Sequence, residues 1–318
     1  MYQDLCVDYA AKLPPEIGIA WAVSPCNLKC QMCPQERLRH LPRSVLPFDL
    51  FKKTIVDIPR NYTGKITLTP YTEPLLFPDF AKYISHTTRA LPEALVTLNT
   101  NGVLLDETRG RQIIDSGLKG LIISLNMHTR EDYEWFTGVD AYEHVSENIR
   151  QFHTLRARLG HGPTIWLQLV NIQRNAAYQD AFIQKWAKYA DSGTLRDLVD
   201  WNGEIPEDVL QQQAACGNRC DHICLTMWMT LVVDANGDIA PCCRIPLLPP
   251  GNGLILGNVA NMTLAEAWAS PKLAEIRRRQ YLGTQPECAR CRFHLKDKIS
   301  LDVRRFVEEV LDGKITKS

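Results

Sequence analysis

The chain has 318 residues, and its 36 Lys and Arg balance its 36 Asp and Glu. Hydrophobic residues make up 45% of it, which is enough for a folded protein with a sizeable core. The neutral balance gives no reason to expect nucleic acid or an anionic membrane as a partner. Residues 1–12 carry Asp4 and Asp8 and no long apolar run, so they do not resemble a signal peptide. Since no run of about 18 apolar residues occurs, we expect a cytoplasmic protein without a transmembrane helix.

Between Ile17 and Asn202, short apolar runs alternate with amphipathic segments of helical length. The predicted strands are Ile17–Val23, Lys65–Tyr71, Leu95–Asn99, Gly120–Leu125, Thr164–Val170 and Leu195–Trp201. The predicted helices are Phe48–Ile58, Phe80–Leu91, Asp106–Ser116, Tyr142–Leu159 and Tyr178–Ala190. Repeated β–α units imply an α/β fold with a parallel sheet and right-handed crossovers. Because six units fall short of the eight of a closed barrel, we predict a partial (β/α)6 barrel, with an open flavodoxin-like sheet as the alternative.

The pattern changes near Gly203, so we divide the chain into a barrel at residues 1–202 and a C-terminal cysteine-rich module at residues 203–318. In this module the pair Asn236-Gly237 separates two short apolar runs and predicts a type I′ hairpin. Helical patterns follow at Leu264–Trp268 and Pro271–Tyr281. The module shows little apolar patterning, so we expect bound metal to hold it together.

Eleven cysteines are the most informative feature of the composition. An odd count in a reducing compartment argues against a disulfide framework and for metal ligation or redox chemistry. One group is formed by Cys26, Cys30 and Cys33, while Cys6 stands alone and is expected to be inert. The second group consists of Cys216, Cys220, Cys224, Cys242, Cys243, Cys288 and Cys291.

The first group follows the first predicted strand directly, with the spacing C-x3-C-x2-C. In a barrel this is the carboxyl end of the strands, where active sites gather. Three thiolates hold three irons of a four-iron cluster and leave the fourth iron open for a small molecule. A structural zinc site is the alternative, but such sites almost always take four protein ligands.

The segment Cys26–Cys33 resembles the signature of the radical S-adenosylmethionine (SAM) superfamily, C-x3-C-x-Φ-C. The resemblance extends over residues 17–202. It implies that the open iron binds SAM, and that an external one-electron reductant of the flavodoxin or ferredoxin type drives SAM cleavage. The resulting 5′-deoxyadenosyl radical removes a hydrogen atom from a substrate. The Φ position is usually aromatic; here it is Met32, whose thioether we expect against the adenine.

Other residues at the ends of predicted strands carry the resemblance further. Thr72-Glu73-Pro74 resembles the family's G-G-E-P motif, which implies that Glu73 receives the SAM ammonium, although Tyr71 and Thr72 replace the glycines. Glu-Pro after a strand is otherwise a helix-start signal. Ser124 and Gln168 also end predicted strands, and the resemblance implies contact with SAM, while the alternative for each is capping of nearby backbone.

In the second group, Cys224, Cys242, Cys288 and Cys291 provide four thiolates, which by count suit either zinc or an iron–sulfur cluster. Joined to the first motif, this module resembles the SPASM/twitch extension of the same superfamily. No cysteine follows Cys291, so the resemblance implies a single auxiliary cluster and two 4Fe–4S clusters in all. The spacing is similar to that of aminoglycoside-pathway radical SAM dehydrogenases. Cys220 is an alternative ligand to Cys224, and Cys216 has no assigned task.

Cys243 is left over beside Cys242. One interpretation is a small buried side chain. The other comes from resemblance to radical SAM epimerases, in which a thiol donates a hydrogen atom to the substrate radical. We therefore hypothesise an epimerase of a polar small molecule with Cys243 as donor. A dehydrogenase of an aminoglycoside-like alcohol, an enzyme acting on a short peptide, and a non-catalytic zinc-stabilised binding protein remain the alternatives.

Iron analysis separates the zinc-stabilised binding protein from the enzymes. We expect anaerobically reconstituted protein to hold roughly eight irons, because two cysteine-ligated four-iron clusters are implied. Changing Cys26, Cys30 and Cys33 together to Ala should halve the iron and abolish 5′-deoxyadenosine formation from SAM. Full deoxyadenosine production by this triple variant would contradict the assignment of the first group.

Overall fold

The computed structural model describes residues 12–34, 42–198, 201, 205, 209, 224–244, 251–289 and 291. In chain order its strands are β1 (Glu16–Ile19), β2 (Ala22–Val23), β3 (Ser44–Val45), β4 (Lys65–Leu68), β5 (Leu95–Thr100), β6 (Gly120–Asn126), β7 (Thr164–Val170), β8 (Ser192–Arg196), β9 (Thr230–Val233), β10 (Asp238–Ala240) and β11 (Gly257–Asn258). Its helices are α1 (Phe48–Val56), α2 (Phe80–Ala90), α3 (Glu107–Asp115), α4 (Arg130–Thr137), α5 (Tyr142–Leu159), α6 (Gln173–Ala176), α7 (Gln179–Trp186), α8 (Thr226–Met229), α9 (Leu264–Trp268) and α10 (Pro271–Tyr281).

Nine strands form the main sheet, in the order β11-β10-β9-β1-β4-β5-β6-β7-β8, while β2 and β3 pair separately. The six predicted strands are neighbours in chain order, and every pair among them is parallel. A doubly wound sheet reverses its strand order at a switch point, and this order never reverses. Right-handed crossovers then place the connecting helices on one face, which confirms the partial barrel over the flavodoxin-like alternative.

Three predicted strands differ in their limits by three residues or more: the first, the sixth, and the second, which ends at Leu68 rather than Tyr71. The first one ends at Ile19 rather than Val23, because β2 leaves the main sheet to pair with β3. The sixth one begins earlier, at Ser192, because its pairing with β7 begins at Trp166 opposite Ser192. Pairing with a neighbouring strand thus outweighs the apolar pattern on which the prediction relied.

Helix α4 was not predicted from the sequence. The Thr129 side chain accepts the Asp132 N–H at its start, and Gly138, with φ of 68°, ends it in the left-handed conformation. Only Tyr133, Phe136 and Thr137 of its eight residues are buried, so its apolar pattern is too short to stand out. Caps at both ends define the helix where periodicity does not.

The two faces of the parallel sheet differ in polarity. Alternate residues such as Ile17 and Leu68 are fully buried on the helix-covered face. On the opposite face, at the amino end of the strands, Lys65 Nζ lies 3.2 Å from Glu16 Oε1, and the Thr67 hydroxyl donates to the same oxygen at 2.8 Å. This ion pair closes the inner face at one end, so the carboxyl end remains the open mouth.

The C-terminal hairpin is part of the main sheet. Strand β9 lies parallel to β1, with Ile17 opposite Leu231, and β10 and β11 continue antiparallel from it. Apolar residues of this module, Leu254 and Trp268 among them, join the same hydrophobic cluster as the barrel. The module therefore has more core than its pattern indicated. The predicted boundary at residues 202 and 203 lies outside the described residues.

The turn of this hairpin is not type I′. A type I′ turn needs positive φ at both central residues, but of Asn236 and Gly237 only Gly237 has it, at 83°. Asp234 pairs with Asp238 across three loop residues, its N–H donating to the Asp238 carbonyl at 3.0 Å. The Asp234 carboxylate also accepts the N–H groups of Asn236 and Asp238 at 2.9 and 3.0 Å. This side chain stabilises the longer turn instead.

A buried arginine organises the rest of the module. The Arg277 guanidinium lies between the rings of Trp228 and Trp268, at 4.7 and 4.2 Å from their centroids, and its Nε donates to the Met227 carbonyl at 2.9 Å. No helix in the described part of the chain is long and apolar enough to cross a membrane.

Replacing Gly120 by Ala tests the packing of the sheet's inner face. A Cβ at Gly120 would stand 2.3 Å from Cζ3 of Trp166, so the ring must shift. Overpacking of this kind costs about 1–3 kcal/mol, and we expect a melting temperature lowered by roughly 2–8 °C. Gly193→Ala is the control, because its Cβ meets only the exposed Ile183 side chain at 3.2 Å. Equal melting of the two variants would contradict this packing.

Candidate functional site

The first cysteine loop is fixed by the end of helix α4. The Lys29 N–H donates to the Thr137 carbonyl at 2.8 Å, and the Gln31 N–H donates to the Phe136 carbonyl at 2.9 Å. These are carbonyls of the last helical turn, which have no partner within a helix. The helix that the sequence did not reveal is therefore the support of the cysteine loop.

The three thiols of this loop share one environment. Burial raises the pKa of Cys26, and burial together with the charges of Cys33 and Cys26 raises the pKa of Cys30. Thiolates here need a positive partner, since each disfavours ionisation of the others. An iron–sulfur cluster supplies such a partner and takes cysteine ligands of this kind, so the donor set fits it.

Among the described residues, no three His, Cys, Asp or Glu side chains converge on a point that would hold a single metal ion. In a four-iron cluster each cysteine holds a different iron. The fit of a cluster therefore rests on the thiol donors and on the support of their loop.

Glu73 lies at the centre of the mouth and is 2% exposed. Its carboxylate accepts the Thr100 hydroxyl at 2.6 Å, the Asn101 N–H at 2.8 Å and the Leu75 N–H at 3.1 Å. The side-chain amide nitrogen of Asn101, Nδ2, in turn lies 3.7 Å from Cys26 Sγ. Glu73, after β4, and Thr100 and Asn101, at the end of β5, thus come together beside the first cysteine loop.

The two residues before Glu73 make further links. The Thr72 hydroxyl donates to the Pro25 carbonyl at 3.0 Å, directly before Cys26. The Tyr71 hydroxyl donates to the Cys243 carbonyl, in the other cysteine group. We call Tyr71, Thr72 and Glu73 the junction, because these consecutive residues hold both cysteine loops and the end of β5.

Ser124 and Gln168 come together on the inner face of β6 and β7, with the serine hydroxyl 3.1 Å from Gln168 Oε1. Met32 lies in the cysteine loop, where its carbonyl accepts the Trp201 indole N–H at 3.0 Å. His128, just past β6, stacks on Tyr178 at 5.1 Å between ring centroids.

The second cysteine group gathers around Arg244. Burial and the charge of Cys291 raise the pKa of Cys224 to about 11. Burial and the charges of Cys224 and Cys291 raise the pKa of Cys288 to about 12. The Arg244 guanidinium is 5% exposed and donates to Cys291 Sγ. Four thiols beside a buried cation suit an auxiliary cluster; the alternative ligand Cys220, like Cys216 and Cys6, lies outside the described residues.

Cys243 is exposed, so it is not the small buried side chain that one interpretation of the sequence offered. A hydrogen bond from Cys242 and the charges of Arg244 and Arg196 lower the pKa of the Cys243 thiol. Arg196 ends β8, the opposite edge of the sheet from the β10 side.

Comparison with known families agrees with this geometry. Residues 24–163 match the model of the radical SAM superfamily, and residues 224–292 match that of an iron–sulfur cluster-binding domain, SPASM. The chain therefore contains a radical SAM domain and a SPASM domain. Its radical SAM domain implies a 4Fe–4S cluster and SAM, and its SPASM domain indicates an auxiliary cluster.

Relatives of this radical SAM protein differ in activity. It is 33% identical over 127 residues to the GTP 3′,8-cyclase of Erythrobacter litoralis. The matched segment covers 39% of this chain and 38% of that cyclase. It is 25% identical over 122 residues to the SAM-dependent 2-deoxy-scyllo-inosamine dehydrogenase of Niallia circulans. The matched segment covers 37% of this chain and 49% of that dehydrogenase. Each match therefore spans less than half of the curated relative.

The fold is similar to that of Streptococcus suis SuiB, solved bound to the precursor peptide SuiA. The TM-score is 0.65 at 14% sequence identity, and the superposition covers 93% of this chain and 73% of SuiB. At this identity the likeness shows the fold alone.

Sequence reasoning missed Arg244 as part of the site, and it placed Tyr71 in the Glu73 motif without its contact to Cys243. Arg244 directly follows Pro241-Cys242-Cys243, and an arginine next to candidate ligands was a signal available in the sequence. Tyr71 gave no such signal, because its partner Cys243 is 172 residues away in the chain.

Replacing Glu73 by Gln should reduce the pH dependence of stability. Burial raises the pKa of Glu73 to about 7 from 4.5, although three donors oppose this. A raised pKa means that the folded protein binds the proton more tightly, so this stabilisation is complete below about pH 4.5 and is lost as the pH rises through about 7. We expect the melting temperature to fall more between about pH 5 and about pH 7.5 in the parent protein than in Glu73→Gln.

Glu266→Gln is the matched control for this measurement. Hydrogen bonds from Thr263 lower the pKa of Glu266, so its contribution is lost only at more acid pH. The melting temperature of Glu266→Gln should therefore change with pH as that of the parent protein does over the same pH interval. Identical pH slopes for the parent and Glu73→Gln would show that the Glu73 carboxyl is ionised throughout.

Proposed function

We propose that this protein is a radical SAM enzyme that removes a hydrogen atom from a carbon of a polar small molecule and returns one from Cys243, which epimerises that carbon. The observation that carries the proposal is Cys243 itself. Cys243 is exposed, lies next to the candidate ligand Cys242, and its backbone carbonyl accepts the Tyr71 hydroxyl from the barrel side. A donor must stand across the substrate carbon from the radical that abstracts, and this placement supports that role.

Residues of the barrel are proposed to hold the cluster and the SAM for the first step, the cleavage of SAM. Cys26, Cys30 and Cys33 would hold a four-iron cluster, whose chemistry when bound is one-electron reduction of SAM with an electron from an external reductant of the flavodoxin or ferredoxin type. Asn101 holds Cys26 in place, and Glu73 holds Asn101. Ser124, Gln168 and Met32 are proposed to contact SAM.

Cys243 completes the second half. Its S–H bond breaks as a C–H bond forms on the substrate radical, and a second electron from the reductant, with a proton, restores the thiol. Donation needs the protonated form. The hydrogen bond that lowers the pKa of Cys243 comes from the Cys242 thiol, so ligation of Cys242, which removes that proton, leaves Cys243 closer to an ordinary thiol.

The inner face of the sheet supports a polar substrate. Thr69 Oγ1 and Asn99 Oδ1 are buried atoms without a hydrogen-bond partner among the described residues. Buried polar atoms are costly unless they are paired, so a bound hydroxyl or amine group would stabilise them. Ser124 and Gln168 on neighbouring strands extend this neutral polar surface toward the mouth.

Dehydrogenation is the second candidate, because one relative is a SAM-dependent 2-deoxy-scyllo-inosamine dehydrogenase. In that case the substrate radical gives up an electron and a proton, and the second cysteine group, Cys224, Cys242, Cys288 and Cys291, would hold the auxiliary cluster that provides an electron acceptor. Action on a peptide is a further alternative, since SuiB shares the fold and was solved with a precursor peptide.

Turnover in D2O separates these reactions. Thiol protons exchange with water, so epimerisation should place one deuterium on the product carbon. A metabolite extract supplied with SAM and reductant in D2O, and followed by mass spectrometry, should contain a compound that gains one deuterium at unchanged formula. With Cys243→Ala, deoxyadenosine should still form while the deuterium gain disappears.

Cys33→Ala is the control, because loss of a proposed ligand of the first cluster should abolish deoxyadenosine itself. A product two hydrogens lighter than its substrate, without solvent deuterium, would establish dehydrogenation and remove Cys243 as donor.

A further inference from the structure

Tyr71 connects the barrel to the loop that carries Cys243. Its backbone is fixed on the barrel side, where its N–H donates to the Ala22 carbonyl at 2.8 Å and it bridges Val23 in parallel. Its hydroxyl reaches the other side and donates to the Cys243 carbonyl. One residue therefore contacts both the strand that leads into the first cysteine loop and the second cysteine group.

The path of the Tyr71 side chain is also fixed. Its ring packs against Val232 of β9 and Ala240 of β10, together with Ile255. Burial raises the pKa of the Tyr71 phenol well above its ordinary value, so the hydroxyl keeps its proton and acts as a donor. A packed ring with a single polar end suits a spacer of defined length.

The other two residues of the junction, Thr72 and Glu73, bind backbone groups beside the first cysteine loop. Thr72 holds the Pro25 carbonyl at 3.0 Å, and Glu73 holds the Asn101 N–H at 2.8 Å. Movement of Tyr71 would thus displace the backbone next to Cys26 as well as Cys243. The two cysteine loops are mechanically linked through three consecutive residues.

We propose that Tyr71 is a positioning residue for Cys243: its hydroxyl holds the Cys243 backbone against the carboxyl end of β4 and thereby sets where the thiol stands relative to the first cysteine loop. This rests on the proposed function, in which Cys243 donates the hydrogen atom. Tyr71 itself touches neither reacting atom in this account.

Tyr71→Phe removes the hydroxyl and keeps the packed ring. Tyr62→Phe is the matched control, because the Tyr62 hydroxyl also donates to a backbone carbonyl, that of Pro14 at 2.7 Å, before β4 rather than after it. Both variants lose the same kind of hydrogen bond. Any general loss of stability should appear in both, as a lower melting temperature.

Two measurements on the reconstituted holoprotein report whether the Cys243 segment is held in position. The first is the rate at which iodoacetamide labels Cys243, followed by peptide mass spectrometry under anaerobic conditions. The second is amide hydrogen exchange in residues 241–244. For Tyr71→Phe we expect both rates to rise about three- to tenfold, the effect of one lost hydrogen bond, while Tyr62→Phe leaves them unchanged. Tyr62→Phe should also form 5′-deoxyadenosine from SAM and dithionite within about twofold of the parent protein.

Parent-like labelling and exchange in Tyr71→Phe would overturn the proposal, as would equal increases in both variants. A parent protein that makes no deoxyadenosine would instead contradict the proposed function. Labelling and exchange would still decide the role of Tyr71 in that case, so the two failures are distinguishable.

Discussion

The short segment after β4 is the constraint on which the site depends. Glu73 is buried and engages three donors, one of them the backbone of Asn101 beside Cys26. A buried carboxyl is tolerated only when its hydrogen bonds are satisfied, so the end of β5 must stay where it is. Thr72 and Tyr71 extend the same arrangement to the two cysteine loops. The positions of the reactive groups are thus set by backbone contacts at one point of the sheet.

Strand order explains why these groups meet. Because the parallel strands follow one another without a reversal, all their carboxyl ends open on one mouth. Strand β9 adds the SPASM module to the same sheet beside β1, and the chain returns along β10, antiparallel to β9. The Tyr71 hydroxyl, which donates to the Cys243 carbonyl, then links the segment past β10 to the chain that follows β4. Lys53 of α1 supports this placement by donating to the Val259 and Ala260 carbonyls at 2.7 and 2.8 Å. The module is therefore attached at several points, not only by its cysteines.

Features encoded by local spacing could be predicted from the sequence. The cysteine loop and the alternation of strands and helices depend on neighbours a few residues apart. Pairing between distant segments could not be predicted: β9 beside β1 and Tyr71 beside Cys243 join residues about two hundred positions apart. The prediction of a type I′ turn for the hairpin was wrong for a different reason. The Asp234 side chain binds two backbone N–H groups and so favours a longer loop than Asn236-Gly237 alone would form.

For Cys243 to donate a hydrogen atom, its thiol must face the SAM-binding end of the barrel across the substrate. A crystal structure of the anaerobically reconstituted protein with SAM would show this arrangement. We expect Cys243 Sγ to point toward the 5′ carbon of SAM, with the Tyr71 hydroxyl on the Cys243 carbonyl. A Cys243 side chain turned away from SAM, or bound to the auxiliary cluster, would contradict it.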